Sequence, residues 1–420
     1  MKIRGKVFMA VLPLCIAVLL AISCFFLPIG ESKFADSRLD RAASSLSTSI
    51  LKGEAVKNRA MEREKYIPFF GSSELRRFDA FHPSILAKKY DRGYKPFLLG
   101  TAGTQSITHF LSIHSMGEAL LNKKAVFVIS PQWFQKGGVD EPSVEEFFSP
   151  IQFYDWICNT NEDSEATAYF ARRMLMFTFI QNDDFLRGIL ERFAEGEELG
   201  PIQRQRCENR LKLLRAEDAF FGWFFAENHE DEIHAQTKDL PDRYDLTALD
   251  KSAILAGKKD AAGNMFHIKN SFYNWRIKPK LKAFKGEQKN LTYDKSPEYG
   301  DIQLVLNEFA RNRVNVLFVI PPVNQRWADY TGLSQAMYDR FVKKLKAQLY
   351  NQGFRNILDL SKRGRVKYFM EDTIHLGWRG WVAMDRSVKP FLENDEPAPE
   401  YNINSYYYSA EWQQKVMDEQ

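Results

Sequence analysis

Two short stretches hold residue types that together could move an acyl group. The first is Gly71-Ser72-Ser73-Glu74, which follows the apolar run YIPFF (66–70) and precedes a helical pattern. A serine at such a junction gains from converging backbone N–H groups and from the positive end of a helix dipole. The same position also suits a plain helix N-cap, for which serine is a preferred residue. The second stretch is Glu371-Asp372-Thr373-Ile374-His375. Asp372 and His375 stand three residues apart, which on one helical or 3₁₀ turn puts both side chains on one face. The carboxylate can then fix the ring tautomer through one nitrogen, leaving the other to take a serine proton. Read alone, the pair fits a capping aspartate and a surface histidine equally well. The other six histidines have no comparable partner. His109 and His114 fall within a helical pattern and read as packing residues, and His229 and His234, in ENHEDEIH, read as a solvated turn rather than a cation site.

The elements that must position these residues are legible as strand-and-loop units. YIPFF runs into Gly71-Ser72-Ser73, PFLLG (96–100) into Thr101-Ala102-Gly103-Thr104, and AVFVIS (125–130) into Pro131-Gln132-Trp133. Each is a short apolar run ending in small or polar residues, the pattern of a buried parallel strand with a loop at its carboxyl end. A helical pattern over 104–121 separates the second from the third. VNVLFVIPPVN (314–324) is the strongest strand, followed by a helix over 334–352 stopped by Gly353 and a last strand, RNILDL (355–360). Strand, loop and helix in succession predict a parallel α/β sheet, and ligands of such sheets bind beyond the carboxyl ends of the strands.

The expected organisation is a core of 65–135 and 301–395 interrupted by a mostly helical insertion over 136–300. Residues 31–64 read as a juxtamembrane helix or stalk, and 396–420 as an aromatic tail that packs on the body or covers the site. Residues 7–30 carry no charge and contain an apolar run long enough, at roughly 20 residues, to cross a bilayer. Lys2, Arg4 and Lys6 before it predict a cytoplasmic N-terminus and an exported body. A cleaved signal peptide is the rival reading, against which the long core and Phe25-Phe26-Leu27 count.

With 420 residues, 45% apolar and 27% charged, the chain can bury a sizeable core. Three of the four net positive charges lie in the first six residues, and so near-neutral a body excludes nucleic acid as main partner. The four cysteines lack metal-site spacing. Buried free thiols are expected at Cys158 and Cys207, with a disulfide between them as the alternative. No cofactor or metal is expected.

A strand-end serine early in the chain, a glycine after the second strand and a late Asp-x-x-His form an ordered set that resembles the SGNH (GDSL-type) hydrolase superfamily. That resemblance implies a flavodoxin-like, three-layer parallel-sheet fold. FFGSSEL, LGTAGTQS, VISPQWF, VIPPVNQRWADYTGL and DTIHLGWRGW, with the N-terminal apolar run, are more closely similar to the DltD family of the D-alanyl-lipoteichoic acid pathway of Gram-positive bacteria. Carried over by position, Ser73 is the nucleophile, Asp372 the orienting acid and His375 the general base. Gly103 matches the oxyanion glycine, with Gly100 competing. The superfamily's Gly-x-Asn after the third strand is missing, and Gln132 is the nearest amide donor; Ser72 replaces the usual aspartate of the GDS triplet. The resemblance implies D-alanine esterification of a teichoic acid polymer at the outer membrane face. The partners would be a membrane-bound O-acyltransferase and a D-alanyl carrier protein. An esterase or thioesterase with the same triad, and a non-catalytic scaffold, are the alternative classes.

Overall fold

The computed structural model describes residues 33–161 and 164–418, with isolated positions 12, 13, 15–17 and 19. Most of the N-terminal apolar run therefore lies outside the described residues. No described helix is long and apolar enough to cross a membrane.

Five parallel strands form one sheet: β1 (Tyr66–Phe70), β2 (Lys95–Leu99), β3 (Lys124–Val128), β4 (Asn315–Ile320) and β5 (Ile357–Asp359), in the spatial order β2-β1-β3-β4-β5. The first four strands are short, mostly apolar and buried on both faces, between two covering layers, whereas β5 at the sheet edge is half-buried to exposed. Phe70, Phe127 and Phe318 enter one core, while Phe69, Val126, Val128, Leu317 and Val319 enter the other. The first core is covered by the helices Ser106–Met116, Glu298–Arg311 and Gln335–Tyr350, and the second by Pro83–Lys89, Leu246–Asp260 and Trp378–Glu393. The result is a three-layer α/β arrangement. Its strand order reverses between β1 and β3, where a crevice opens at the carboxyl ends.

The helix expected over 334–352 forms as Gln335–Tyr350, capped by Ser334, whose hydroxyl accepts from the Met337 N–H; Gly353 ends it in the left-handed region at φ 94°. The pattern over 104–121 resolves into Ser106–Met116 and a 3₁₀ turn, Gly117–Leu120.

Within the stretch expected as a stalk, the described residues 33–64 do not stand off from the body. From Lys33 onward they fold into the helices Lys33–Ala42, Thr48–Lys52 and Ala55–Met61, and Leu39, Ala43, Ile50, Val56 and Ala60 are buried in the first core. The polar composition concealed one apolar face per short helix. The Leu98 N–H also donates to the Ala43 carbonyl, tying this segment to the edge strand β2. The helices Pro150–Asn159, Glu165–Met174 and Asp184–Ala194 share the first core as well, through Phe153, Trp156, Phe170 and Phe193, so these inserted helices are packed on the sheet domain.

The tail packs on the body. Tyr407, Tyr408 and Trp412 are buried, and the Trp412 indole N–H donates to Gln348 Oε1 at 2.8 Å. Lys344 Nζ reaches the Lys415 and Asp294 carbonyls at 2.7 and 2.8 Å. Cys158 and Cys207 are free thiols.

Candidate active site

Ser73 opens a 3₁₀ turn, Ser73–Arg76, immediately beyond β1 at the sheet's switch point. Glycine is required in the approach. A Cβ on Gly71 would lie 2.3 Å from the Glu74 carboxylate, and one on Gly100 would lie 2.0 Å from the Gly71 carbonyl oxygen. The ends of β1 and β2 thus approach backbone to backbone. The Gly71 carbonyl accepts from His109 Nε2 at 2.8 Å and from the Thr104 hydroxyl at 2.9 Å. Burial holds the His109 ring down at about 4, so it is neutral and donates through Nε2. His109 is therefore more than packing: it fixes the residue leading into the serine.

Ser72 Oγ donates to the Thr101 carbonyl at 3.2 Å, tying the first loop to the second. The Glu74 carboxylate, buried directly behind Ser73, accepts the Ser72 N–H at 2.6 Å. Burial pushes this carboxyl up, against the opposing pull of His375.

Asp372 and His375 do not sit on a helical turn. The segment 370–376 is a tight bend closed by an antiparallel bridge between Met370 and Leu376, with the Glu371 N–H donating to the His375 carbonyl at 3.0 Å. The aspartate builds the bend: its Oδ1 accepts the Ile374 and His375 N–H groups, both at 2.9 Å. Side-chain-to-backbone turns of this kind are characteristic of Asp and Asn. Gly377 is needed there, because a Cβ would meet the Glu371 nitrogen at 2.5 Å. The PPVN segment braces the bend from β4, since the Asn324 N–H donates to the Thr373 carbonyl at 2.9 Å and its amide to the Phe266 carbonyl at 3.0 Å.

The two stretches, 302 residues apart in sequence, meet. Ser73 Oγ lies 2.6 Å from His375 Nε2, and His375 Nδ1 lies 2.7 Å from Asp372 Oδ2. Asp372 is 1% exposed. Burial pushes its carboxyl up, but His375, Arg77 and the Ile374 N–H outweigh burial and hold it at about 2. It is a permanent carboxylate at neutral pH, with Nδ1–H donating to it and Nε2 left as the acceptor for the serine hydroxyl.

Arg77 completes the cluster and was not legible in the sequence. Its Nη2 is 3.1 Å from Asp372 Oδ2 and 3.4 Å from His375 Nδ1, and its Nη1 is 3.9 Å from Glu371 Oε1. The guanidinium thus shares with the imidazole the carboxylate oxygen that orients it. The only sequence signal was a basic residue four positions after the serine.

Gly103 lies in the loop after β2 with φ +94°, a conformation that favours glycine. Gly100 serves the close approach to Gly71 instead. Among the described residues, neither the Ser73 nor the Gly103 N–H is taken by an intramolecular acceptor. Gln132 lies on the 3₁₀ turn Pro131–Phe134 directly after β3, half-buried, with no side-chain hydrogen bond among the described residues. His229 is held elsewhere, with Nδ1 2.9 Å from Glu232 and its ring stacked on Phe78.

Residues 43–393 match the family model described as DltD protein. A protein DltD from Lacticaseibacillus rhamnosus is 44% identical over 405 residues, covering 96% of this chain and 95% of the relative. One from Bacillus subtilis (strain 168) is 33% identical over 360 residues, covering 85% and 90%. One from Staphylococcus aureus (strain NCTC 8325 / PS 47) is 28% identical over 398 residues, covering 95% and 96%. The match spans both stretches that meet at Ser73 and His375 and nearly all that lies between them, so this chain belongs to the DltD family.

Proposed function

We propose that the protein transfers D-alanyl groups to a teichoic acid polymer through an acyl-enzyme on Ser73. The observation that carries this reading is the continuous relay Ser73 Oγ–His375 Nε2 and His375 Nδ1–Asp372 Oδ2, at 2.6 and 2.7 Å, in a chain of the DltD family. His375 Nε2 takes the Ser73 proton as Oγ attacks the D-alanyl carbonyl carbon. The negative charge developing on the carbonyl oxygen is met by the Ser73 and Gly103 N–H groups and the Gln132 amide. As the tetrahedral species collapses, the donor's leaving atom departs with the proton from His375. A polyol hydroxyl of the polymer then gives its proton to Nε2, attacks the acyl-enzyme carbonyl and leaves as the D-alanyl ester, and the proton returns to Ser73. Asp372 stays ionised throughout, which favours the imidazolium that forms in each half-reaction.

The N-terminal apolar run, preceded by three basic residues, supports a single-pass anchor with the catalytic body at the outer face. A body there cannot take D-alanine directly from a cytosolic carrier protein, so a membrane-embedded O-acyltransferase would hand the acyl group across. The test is complementation of a strain lacking this protein with wild-type or Ser73→Ala protein, followed by measurement of ester-linked D-alanine in the wall fraction. The proposal expects no recovery with the variant at equal protein level. Full recovery would favour a scaffold.

A further inference from the structure

Among the surfaces outside the triad, one concentrates charge. Between positions 269 and 289 stand seven basic residues and one acid, in a chain whose net charge is only +4. The segment folds as short turns, Asn270–Phe272, Tyr273–Ile277, Lys278–Lys280 and Leu281–Phe284. Two of its apolar residues point inward: Ile277 is buried, and Phe284 meets the Trp327 ring edge-on at 5.2 Å. Arg276, Lys278, Lys280, Lys282, Lys285 and Lys289 are exposed. Among the described residues none of these six forms an ion pair. The segment is clamped to the helix Gln325–Thr331: the Gly286 and Gln288 N–H groups donate to the Tyr330 and Thr331 carbonyls, and the Tyr330 hydroxyl to the Leu281 carbonyl. Unneutralised cations are therefore held on a fixed track.

One end of that track touches the triad bend. The Lys269 N–H donates to the Glu371 carbonyl at 2.8 Å, and Lys269 Nζ is 3.3 Å from Glu371 Oε1, one residue before Asp372. Arg326 and Lys367 extend the positive field beside it, helping burial hold the His267 ring below its ordinary value.

We propose that residues 276–289 form the docking strip for the phosphodiester backbone of the acceptor polymer, leading it toward Ser73. This rests on the acyl-transfer reading above for the identity of the polymer. A linear chain of regularly spaced negative charges is the ligand that a row of fixed, unpaired cations recognises. An anionic membrane surface fits less well. Such binding draws on an apolar face as well as on charge, and here the apolar side chains are turned into the protein, with Trp275 the exception.

The test uses full-length Ser73→Ala protein, so that no turnover occurs, and a fluorescent synthetic glycerol-phosphate oligomer lacking D-alanine as probe. Replacing Lys278, Lys280, Lys282 and Lys285 together by glutamine should weaken binding at least about tenfold at ~0.1 M salt and flatten its salt dependence. The matching set of Lys→Arg changes should bind like the parent. Equal binding by the glutamine variant overturns the proposal, as does equal loss in the arginine set. So does slowing of backbone hydrogen exchange over 270–289 by phosphatidylglycerol nanodiscs but not by the oligomer, which would assign the strip to lipid. Failure of the acyl-transfer reading would appear in the Ser73 complementation instead, because binding is read here without chemistry.

Discussion

Arg77→Gln is the most informative single change near the triad. The guanidinium is 3.1 Å from Asp372 Oδ2 and 3.4 Å from His375 Nδ1, and the arginine side chain is 31% exposed. A unit charge at that distance from an imidazolium is worth about 5 kcal/mol at an effective dielectric of ~20. Partial exposure cuts this to roughly 1–2 kcal/mol. The sign is definite. Arg77 opposes the positive charge that forms on the imidazole ring as it takes the serine proton, and draws on the carboxylate that stabilises that charge. Its removal therefore favours the transition state, and kcat/KM for acylation of Ser73 should rise several-fold, up to about tenfold. The assay is acylation by an activated ester such as a p-nitrophenyl ester, followed at constant pH. A loss of kcat/KM in the variant would refute this assignment and leave Arg77 a structural brace.

Two further outcomes follow from the geometry. Asp372 has a folded value of about 2 against an ordinary 3.8, so its ionised form contributes about 2 kcal/mol of stability. That contribution is present above about pH 4 and lost as pH falls through 2; urea unfolding of wild type should lose that much more than Asp372→Asn between pH 5 and 2, and parallel curves would contradict it. Gly100→Ala places a Cβ 2.0 Å from a backbone oxygen that cannot yield, so it should destabilise by at least about 3 kcal/mol and lower the thermal midpoint by several degrees. An unchanged midpoint would mean that the β1 and β2 ends do not approach so closely.

The first three strands were legible because each is a short apolar run that ends in small or polar residues, and β4 because its apolar run is the strongest in the chain; alternation with helices then makes the sheet parallel. What the sequence could not supply was proximity. Ser73 and His375 are 302 residues apart, and only their placement at the carboxyl edge of one sheet made the pair readable before the fold was seen. Local chemistry misled at the Asp372–His375 spacing, where three residues fit a helical turn as well as the side-chain-closed bend that forms. It misled again at residues 39–61, whose helices are too short for a strong periodic signal yet bury Leu39, Ile50 and Val56. Arg77 and the basic strip were unreadable for a third reason. An exposed cation in sequence looks the same whether it is solvated or aimed at a carboxylate, and only tertiary contact distinguishes the two.

The most direct measurement is mass spectrometry of the peptide carrying Ser73 after brief incubation with a D-alanyl thioester and acid quench. The account predicts a D-alanyl adduct on Ser73 that accumulates in the wild-type protein, vanishes in Ser73→Ala and forms at least about a thousandfold more slowly in His375→Ala. Transfer of D-alanine to polymer by the Ser73→Ala protein at the wild-type rate, with no adduct on any residue, would contradict it.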